Sequence, residues 1–331
     1  MSASDSPSGP WFAGVDGGGT RLRVALVNAR GRIGGWGQAG SGNLHDVGPE
    51  RLGQHLARAA REALDAAGGG TVERGFCAMA SVGIAAERQL VSRLAAEALD
   101  CPPDRIETDI DLRGALAGGL AGRPGICLIA GTGSSSYGRT ADGRALQVGG
   151  WGSLLDDQGS AYDLGRQALI AVVRAADGRS PATCLRDAIL GHLGLSTERE
   201  ILAWVDGQPD PRPRIAALAR FVTQAAVDGA AEALAILEQG AASLADCCAT
   251  LAGRLDWSDP EVVAVGGLVE SSTLYFEILE RAIQARLSAA RLARPSLPPV
   301  LGAAWLALEA GGAPTGADLE ASLRAELAAR S

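Results

Sequence analysis

Residues 11–27 read WFAGVDGGGTRLRVALV, and the interpretation of the rest of the chain depends on this stretch. Its apolar residues stop at Asp16 and resume at Leu22, a pattern that predicts strand, tight turn and strand. The turn, Asp16-Gly17-Gly18-Gly19-Thr20, has three residues without side chains, so its N–H groups can approach a large anion closely. On this motif alone two interpretations remain open. The turn could bind a phosphate with Asp16 beside its Mg²⁺, or it could be a Gly-rich hairpin with a solvated carboxylate.

A second turn of this kind follows the apolar residues 126–130. It reads Gly131-Thr132-Gly133-Ser134, and alone it could be an ordinary hairpin turn. Each turn opens a run of three predicted strands, within residues 11–37 and 126–148. The repeated order predicts two similar lobes, with a ligand in the cleft between them. Two turns that offer N–H groups and hydroxyls suit a triphosphate, because it needs hydrogen-bond donors on more than one side.

Composition excludes several classes of function. The chain has 331 residues, a net charge of −8 and 47% hydrophobic residues, and it contains no lysine. Phosphate-loop, protein-kinase and pyridoxal-phosphate chemistry that depends on a lysine is therefore excluded. If a nucleotide binds, amides, hydroxyls, arginine and Mg²⁺ must hold it. The acidic balance argues against nucleic-acid and membrane partners, and the absence of a long apolar stretch predicts a soluble, cytoplasmic protein.

The six cysteines and three histidines show no metal-ligand spacing, so reduced thiols are expected. Two carboxylates, Asp109 and Asp111, follow a short predicted strand. One could accept a proton from an attacking hydroxyl, while the other caps the following helix. Further along, Gly149-Gly150-Trp151-Gly152 leads to Asp156 and Asp157. Asp157 could bind a polyol, whereas Asp156 is expected to cap the next helix.

Residues 262–269 read VVAVGGLV, which predicts a buried strand that runs into a Gly-Gly turn and a helix N-terminus. Such a junction lets the backbone approach a flat ring or a phosphate, although tight strand–helix packing explains it equally well. Between the second turn and this strand the pattern becomes helical. The predicted helices there span 159–174, 182–193, 198–205, 214–228 and 230–255.

Taken together, these motifs resemble those of the sugar-kinase, Hsp70 and actin superfamily, and within it the BadF/BadG/BcrA/BcrD-type ATPase family. The N-acetylglucosamine kinase branch is the most similar: its GTGS, GGWG and GDEGSAY segments correspond to the stretches from Gly131, Gly149 and Asp156. The resemblance covers about residues 11–310. It implies an α/β, two-lobed ribonuclease H-like (actin-like ATPase) fold, each lobe a mixed β-sheet flanked by helices, with the active site in the interlobe cleft.

The resemblance also implies a role for each matching residue. Asp16 would hold Mg²⁺ through water, and Asp111 would be the catalytic base, because the family's D-x-x-x-A-L-x-G helix start matches residues 111–118. The residues that would bind ATP and its phosphates are Gly17, Gly18, Gly19, Thr20, Gly131, Thr132, Gly133, Ser134, Gly266 and Gly267. The residues that would bind the sugar are Asn43, Asp111, Trp151, Gly152 and Asp157. Two departures are noted: Gln158 replaces a family Glu, and Ser81-Val82-Gly83 replaces a small-Gly-Gly sequence.

The resulting expectation is ATP-dependent phosphorylation of an amino sugar: N-acetylglucosamine giving its 6-phosphate, or glucosamine as the alternative. Two other classes stay open: an ATPase activator of a partner enzyme, for which bridging cysteines are not evident, and a sugar-sensing regulator. The expected domains are a disordered tail (1–10), an N-terminal lobe (11–113), and a C-terminal lobe with a helical insertion (114–331) whose last helix could pack back on the first lobe. ATP, Mg²⁺ and a homodimer are expected, without nucleic-acid or membrane partners.

Overall fold

The structure is a computed structural model that describes residues 10–80 and 82–330. The predicted disordered tail lies outside the described residues except for Pro10, which is exposed, and so does Ser81 of the loop at 81–83. Over the described residues the strands are β1 (Trp11–Gly17), β2 (Leu22–Val27), β3 (Ile33–Ala39), β4 (Val72–Met79), β5 (Ile106–Ile110), β6 (Gly125–Ala130), β7 (Ser134–Arg139), β8 (Ala145–Gly149), β9 (Glu261–Val265) and β10 (Arg291–Ala293).

The helices connect and cover these strands, and a 3₁₀ turn, Pro103–Arg105, precedes β5. Over the described residues they are α1 (Leu44–Ala66), α2 (Ala85–Ala98), α3 (Asp111–Gly119), α4 (Ala161–Ala176), α5 (Leu185–Leu193), α6 (Glu200–Asp206), α7 (Arg212–Ala216), α8 (Ala219–Val227), α9 (Ala231–Arg254), α10 (Gly267–Ser271), α11 (Thr273–Arg286), α12 (Pro299–Ala310) and α13 (Ala317–Ala328).

The chain divides into two compact units. Unit 1 contains the residues up to Pro124 and those from Arg294 onward, and unit 2 contains Gly125–Ala293. The sheet of unit 1 has the order β3-β2-β1-β4-β5. Strands β1, β2 and β3 pair antiparallel, whereas β4 and β5 run parallel to β1. The carboxyl ends of β1, β4 and β5 therefore lie at one edge of the sheet.

Alternation along β1 builds the core of unit 1 on both faces of the sheet. Trp11, Ala13 and Val15 pack with residues of α1 and α2, while Phe12 packs with residues of α12. Gly14 allows α12 to lie directly on the strand, because a Cβ there would be 2.2 Å from the carbonyl oxygen of Val300. The last helices of the chain therefore complete the core of the unit that begins it.

Unit 2 repeats the strand pattern around β6. Its sheet has the order β10-β9-β6-β7-β8, with β7 and β8 antiparallel and β9 and β10 parallel. A core cluster on β6 and β9 includes buried residues of the helices between β8 and β10. Both units are thus mixed sheets flanked by helices, as the resemblance implied, and each sheet has five strands.

Details differ from the sequence-based expectations. The expected boundary after residue 113 splits α3, which packs in unit 1: a Cβ on Gly302 of α12 would lie 2.0 Å from the carbonyl oxygen of Gly114. The single helix expected over 214–228 is two helices, α7 and α8, and α7 packs where Gly165 leaves room for the carbonyl of Ile215. Strand β10 was not predicted, because three residues carry too little pattern.

Among the described residues, none of the helices has the length and apolar character to cross a membrane.

Candidate active site

The first glycine turn lies in unit 1, between β1 and β2. The Gly18 N–H donates to the carbonyl of Arg21 at 2.9 Å and closes the turn, while Gly19 and Thr20 are exposed. In the described part of the chain, the N–H groups of Gly19 and Thr20 have no hydrogen-bond partner. The turn therefore offers two backbone donors and the Thr20 hydroxyl to an anion.

Protein packing explains only part of the glycine content of this turn. A Cβ on Gly17 would lie 2.5 Å from the side chain of Met79, so a larger residue has no room there. A Cβ on Gly19 would meet nothing within 4 Å, and the φ angle of Gly19 is not in the left-handed region. Neither crowding nor backbone conformation requires glycine at position 19, and close approach of a ligand gives a reason for it.

Asp16 lies on β1, directly before the turn. Its side chain is 18% exposed, and one carboxylate oxygen is 3.9 Å from a guanidinium nitrogen of Arg23, its register partner on β2. The fold thus places a partly exposed carboxylate at the mouth of the glycine turn, on the same face of the sheet as an arginine.

The loop that contains Asn43 is attached to the same turn. The Gly42 N–H donates to the carbonyl of Gly18 at 2.9 Å, and a Cβ on Gly42 would lie 2.5 Å from the Cα of Gly17. The Asn43 side-chain oxygen accepts from the N–H groups of His45 and Asp46 and so caps α1. The side-chain NH₂ group of Asn43 can therefore donate to a ligand, and the capping hydrogen bonds fix its orientation.

Asp109 and Asp111 have different environments at the end of β5. Asp109 forms ion pairs with Arg88 at 3.1 Å and Arg113 at 2.8 Å, and the guanidinium of Arg113 also stacks over the ring of Phe76. The expectation that one of them caps the following helix is wrong. Ile110 is the N-cap of α3, and Asp111 is the first residue of the helix.

Asp111 accepts a hydrogen bond from the N–H of Leu112 at 2.9 Å and forms no ion pair within the described residues. Burial raises the pKa of its carboxyl group to about 6, against the smaller opposing effect of that hydrogen bond. A carboxylate with such a pKa is ionised at neutral pH and is also a useful proton acceptor. Asp111 rather than Asp109 therefore has the properties of a general base.

The second turn joins β6 to β7 in unit 2. Its carbonyls accept from the first amides of α4: Ala161 N–H donates to Gly131 at 2.9 Å, and Tyr162 N–H to Thr132 at 3.1 Å. The N–H groups of Thr132 and Gly133 have no partner within the described ranges. As at Gly19, a Cβ on Gly131 would meet nothing within 4 Å. The turn is thus fixed through its carbonyls, and its own Gly131 N–H donates to the carbonyl of Gly133 at 3.0 Å.

Asp157 lies against this second turn. Its side chain is 4% exposed, its φ is +69°, and one oxygen accepts from the Ser134 N–H at 3.0 Å. The other oxygen pairs with Arg212 at 3.1 Å. The contacts of Asp157 in the structure are therefore with the turn and with an arginine that the sequence analysis did not select. The absence of lysine indicated that arginine would be needed, but no local pattern distinguished Arg212.

Other predicted residues around Asp157 are more open. Trp151 is 77% exposed, and Gly152 has space around it with a φ of +84°. The expected capping role of Asp156 is wrong: it accepts from the Trp151 N–H at 3.2 Å, whereas the Ser160 hydroxyl accepts from the Asp163 N–H and caps α4. Capping requires the side chain directly before the first turn, and Asp156 is too far upstream.

The Gly266-Gly267 junction adjoins the second turn within unit 2. Gly266 has a φ of +113°, and a Cβ there would lie 2.7 Å from the carbonyl oxygen of Ala130. Gly267 is exposed and has nothing within 4 Å of a Cβ. Unit 2 therefore brings together Gly131, Asp157 and the Gly-Gly junction, and unit 1 brings together Asp16, the first turn and the Asn43 loop.

The profile of the BadF/BadG/BcrA/BcrD ATPase family matches residues 13–307. The chain belongs to this family. The matched range includes every residue that the sequence analysis selected for the site, and it extends through both units to α12. The fold implied by the resemblance, two lobes of actin-like ATPase type, is confirmed by the two sheets and by the solved structures that this family member resembles.

Sugar kinases are among its relatives. The N-acetyl-D-glucosamine kinase of Dictyostelium discoideum is 28% identical over 313 residues, which cover 90% of this chain and 97% of that enzyme. The N-acetylmuramic acid/N-acetylglucosamine kinase of Clostridium acetobutylicum is 33% identical over 165 residues, 49% of this chain and 54% of that enzyme, so the match spans about half of its length. The structure of a proposed N-acetylglucosamine kinase of Chromobacterium violaceum is 26% identical, with a TM-score of 0.73, covering 92% of this chain and 100% of that one.

The magnesium ion expected beside the first turn would find residues there that fit it. Mg²⁺ in nucleotide sites is usually held by one or two carboxylates together with phosphates and water. Asp16 supplies one partly exposed carboxylate beside a turn with free amides. The described residues contain no group of three or more His, Cys, Asp or Glu side chains that would bind a metal by themselves.

Proposed function

We propose that this chain transfers the γ-phosphoryl group of ATP to a hydroxyl of an amino sugar, with N-acetylglucosamine converted to its 6-phosphate and ADP released. The observation that carries the proposal is Asp111: a carboxylate that has no ion pair with any described residue, with its pKa raised to about 6, at the sheet edge that also carries Asp16 and the first turn. The activities named for the relatives from Dictyostelium and Clostridium support the choice of donor and acceptor.

Each group has one task in this reaction. The carboxylate of Asp111 accepts the proton of the attacking sugar hydroxyl as the new O–P bond forms and the bond to ADP breaks. The amides of Gly19 and Thr20 bind phosphate oxygens in unit 1, and those of Thr132 and Gly133 bind phosphate oxygens in unit 2. Such donors stabilise charge that is already in place, so positioning and electrostatics supply most of the rate. Mg²⁺ held by Asp16 through water would neutralise part of the phosphate charge.

The sugar would be held by residues that keep donors or acceptors free. The Asn43 amide is fixed by its capping oxygen, and Trp151 offers an exposed ring next to Gly152, which has open space around it. Gly266 and Gly267 would lie against adenosine, because Gly267 has open space around it. Asp157 would have two roles: it orders the second turn by accepting from the Ser134 N–H, and it would bind a hydroxyl of the sugar.

The test is an ADP-release assay with purified protein and Mg-ATP. The acceptors are N-acetylglucosamine, glucosamine, N-acetylmuramate, N-acetylmannosamine and glucose, and the phosphorylated position is assigned by ³¹P–¹H NMR of the product. We expect N-acetylglucosamine to give the highest kcat/KM and a 6-phosphate. Preference for glucosamine would change the acceptor and keep the mechanism. ATP hydrolysis that requires a protein partner and no sugar would contradict the proposal and favour an activating ATPase.

Two further properties belong to this proposal. An ATP-dependent sugar kinase is expected in the cytoplasm, where its donor is, without nucleic-acid or membrane partners. We also expect a homodimer, which light scattering after size-exclusion chromatography would measure as about twice the chain mass of 33.7 kDa.

A further inference from the structure

Arg212 is a cationic side chain at the second turn that no feature of the sequence had assigned. It is the first residue of α7, 55 positions after Asp157, yet its terminal nitrogen lies 3.1 Å from the Asp157 carboxylate. The same nitrogen and both carboxylate oxygens of Asp157 would each be 2.9 Å from a Cβ on Gly133. The guanidinium therefore lies against the backbone of the turn itself.

The donors of this guanidinium are incompletely used. Arginine has five N–H donors, and the hydrogen bond to Asp157 uses one of them. Its Nε is buried and has no partner within the described chain. A buried donor without an acceptor costs free energy, so the arrangement is stable only if the pairing with Asp157, or an anion that binds nearby, offsets that cost.

The second turn likewise contains backbone N–H donors without an acceptor among the described residues. The N–H groups of Thr132 and Gly133 have no partner among the described residues, and the Thr132 hydroxyl is also available. Backbone amides, a hydroxyl and a guanidinium at one turn form a donor set that one tetrahedral anion with several acceptor oxygens can satisfy. In a chain without lysine, arginine has to supply the positive charge.

We propose that Arg212 is the cationic phosphate-binding residue of the second turn, held against Gly133 by Asp157, and that it binds a phosphate of the nucleotide there. This inference rests on the proposed function in one respect: it takes the anion to be the phosphate chain of ATP. Arginine suits this place because its planar guanidinium can pair with Asp157 through one nitrogen while other N–H groups bind phosphate oxygens.

The experiment is calorimetric titration of the whole protein with Mg-ADP, and with adenosine as the ligand that lacks phosphate. For Arg212→Gln and Arg212→Ala we expect the Kd of Mg-ADP to rise 10- to 100-fold, with the Kd of adenosine unchanged within twofold. Arg214→Ala is the matched control: the same charge is lost from the same helix, but Arg214 stacks over Trp204 and hydrogen-bonds to Gln208 instead of the turn. Its Kd for Mg-ADP should stay within twofold of wild type.

A purely structural role of Arg212, exerted through Asp157, predicts a different result. In an Asp157→Asn background the ion pair is already lost, so a structural role predicts no further effect of Arg212→Ala on Mg-ADP affinity. Direct phosphate binding predicts a further loss of about tenfold. Absence of that loss, or equal losses for Mg-ADP and adenosine, would overturn the inference. Thermal melting of each variant identifies any that unfolds, and Arg212→Gln then replaces Arg212→Ala.

The same data separate this inference from the proposed function. Wild-type protein that phosphorylates a sugar while Arg212→Gln binds Mg-ADP normally refutes the inference alone. Protein whose Mg-ADP affinity depends on Arg212 but which phosphorylates no sugar refutes the amino-sugar kinase alone. Wild-type protein that does not bind Mg-ADP refutes both.

Discussion

Asp109 and Asp111 are two residues apart on the chain, and the fold gives them opposite chemistry. Two arginines neutralise Asp109, whereas Asp111 is partly buried and accepts a hydrogen bond from its neighbour's N–H. Sequence alone left both residues open as the base, and a family resemblance favoured Asp111. The ion pairs of Asp109 supply an independent physical reason for the same choice.

Replacing Asp111 by Asn should abolish turnover and keep the fold. A general base usually contributes 10²- to 10⁴-fold to the rate, so we expect kcat to fall by about that factor while the Kd of Mg-ADP stays within threefold. Asp109→Asn is the comparison variant, because both oxygens of the Asp109 carboxylate are engaged in ion pairs with arginines. It should lose some stability and keep kcat within a few-fold. Near-normal turnover of Asp111→Asn would assign the base to another carboxylate.

The raised pKa of Asp111 predicts how activity and stability depend on pH. The base must be ionised, so kcat/KM should fall about tenfold per pH unit below pH 6. The unfolded carboxyl titrates near 3.8 and the folded one near 6, so the folded state binds the proton more tightly. Stability from this group is therefore full below pH 3.8 and is lost as pH rises to about 6.

Asp111→Asn cannot ionise at this position, so the variant does not lose stability as the pH rises through 6. At pH 7 the variant should be more stable than wild type by about 1–3 kcal/mol, since one pKa unit corresponds to about 1.4 kcal/mol and partial exposure reduces the effect. Thermal melting between pH 4 and pH 8 measures it. The difference in Tm should grow from pH 4 to pH 6 and then stay constant. A difference that is constant from pH 4 upward would mean that Asp111 has an ordinary pKa in the folded protein.

At the scale of elements, the two glycine turns combine fixed carbonyls with free amides. At Gly19 and Gly131, neither packing nor φ requires glycine, and a Cβ would meet nothing within 4 Å. We therefore expect Gly19→Ala and Gly131→Ala to fold with unchanged Tm and to raise the Kd of Mg-ADP about 10- to 100-fold, because the methyl group occupies space that a phosphate needs.

Gly253→Ala on α9 is the matched control for these variants. Its Cβ also meets nothing within 4 Å, but it lies in an exposed part of a helix. Alanine should stabilise that helix by about 0.5–1 kcal/mol and leave nucleotide affinity unchanged. Unchanged Mg-ADP affinity in Gly19→Ala would remove the first turn from the phosphate site, and the same result in Gly131→Ala would remove the second.

Local pattern predicted these turns because each follows a buried strand and consists of residues without bulky side chains. It also located most strands, since apolar runs bounded by Gly and Asp are strong signals. It did not predict that α7 and α8 are separate helices, or that Arg212 reaches Asp157, because both depend on contacts between residues far apart in sequence. The mistaken capping role of Asp156 has a related cause: several polar residues precede α4, and only the backbone geometry selects Ser160.

At the scale of the whole molecule, the two units differ in how the chain builds them. Unit 2 is continuous, from Gly125 to Ala293, with its own core cluster. Unit 1 is made of two segments, and α12 from the second segment covers a face of the sheet formed by the first. The segments meet where the Ser296 and Leu297 N–H groups donate to the carbonyls of Gly119 and Gly118, both at 3.0 Å. Residues 10–124 alone would therefore expose the apolar face of β1 and β4.

We therefore predict that unit 2 can fold from its own continuous segment, whereas unit 1 needs both of its segments. A fragment of residues 125–293 should be helical by circular dichroism and should melt cooperatively. Residues 10–124 alone should aggregate, because the face that α12 covers becomes exposed. The same residues joined to 294–330 by a Gly-Ser linker of about ten residues, which spans roughly 17 Å, should be soluble and cooperative. A soluble, cooperatively melting 10–124 fragment would show that α12 contributes little to the core of unit 1, and an unfolded 125–293 fragment would show that unit 2 depends on the rest of the chain.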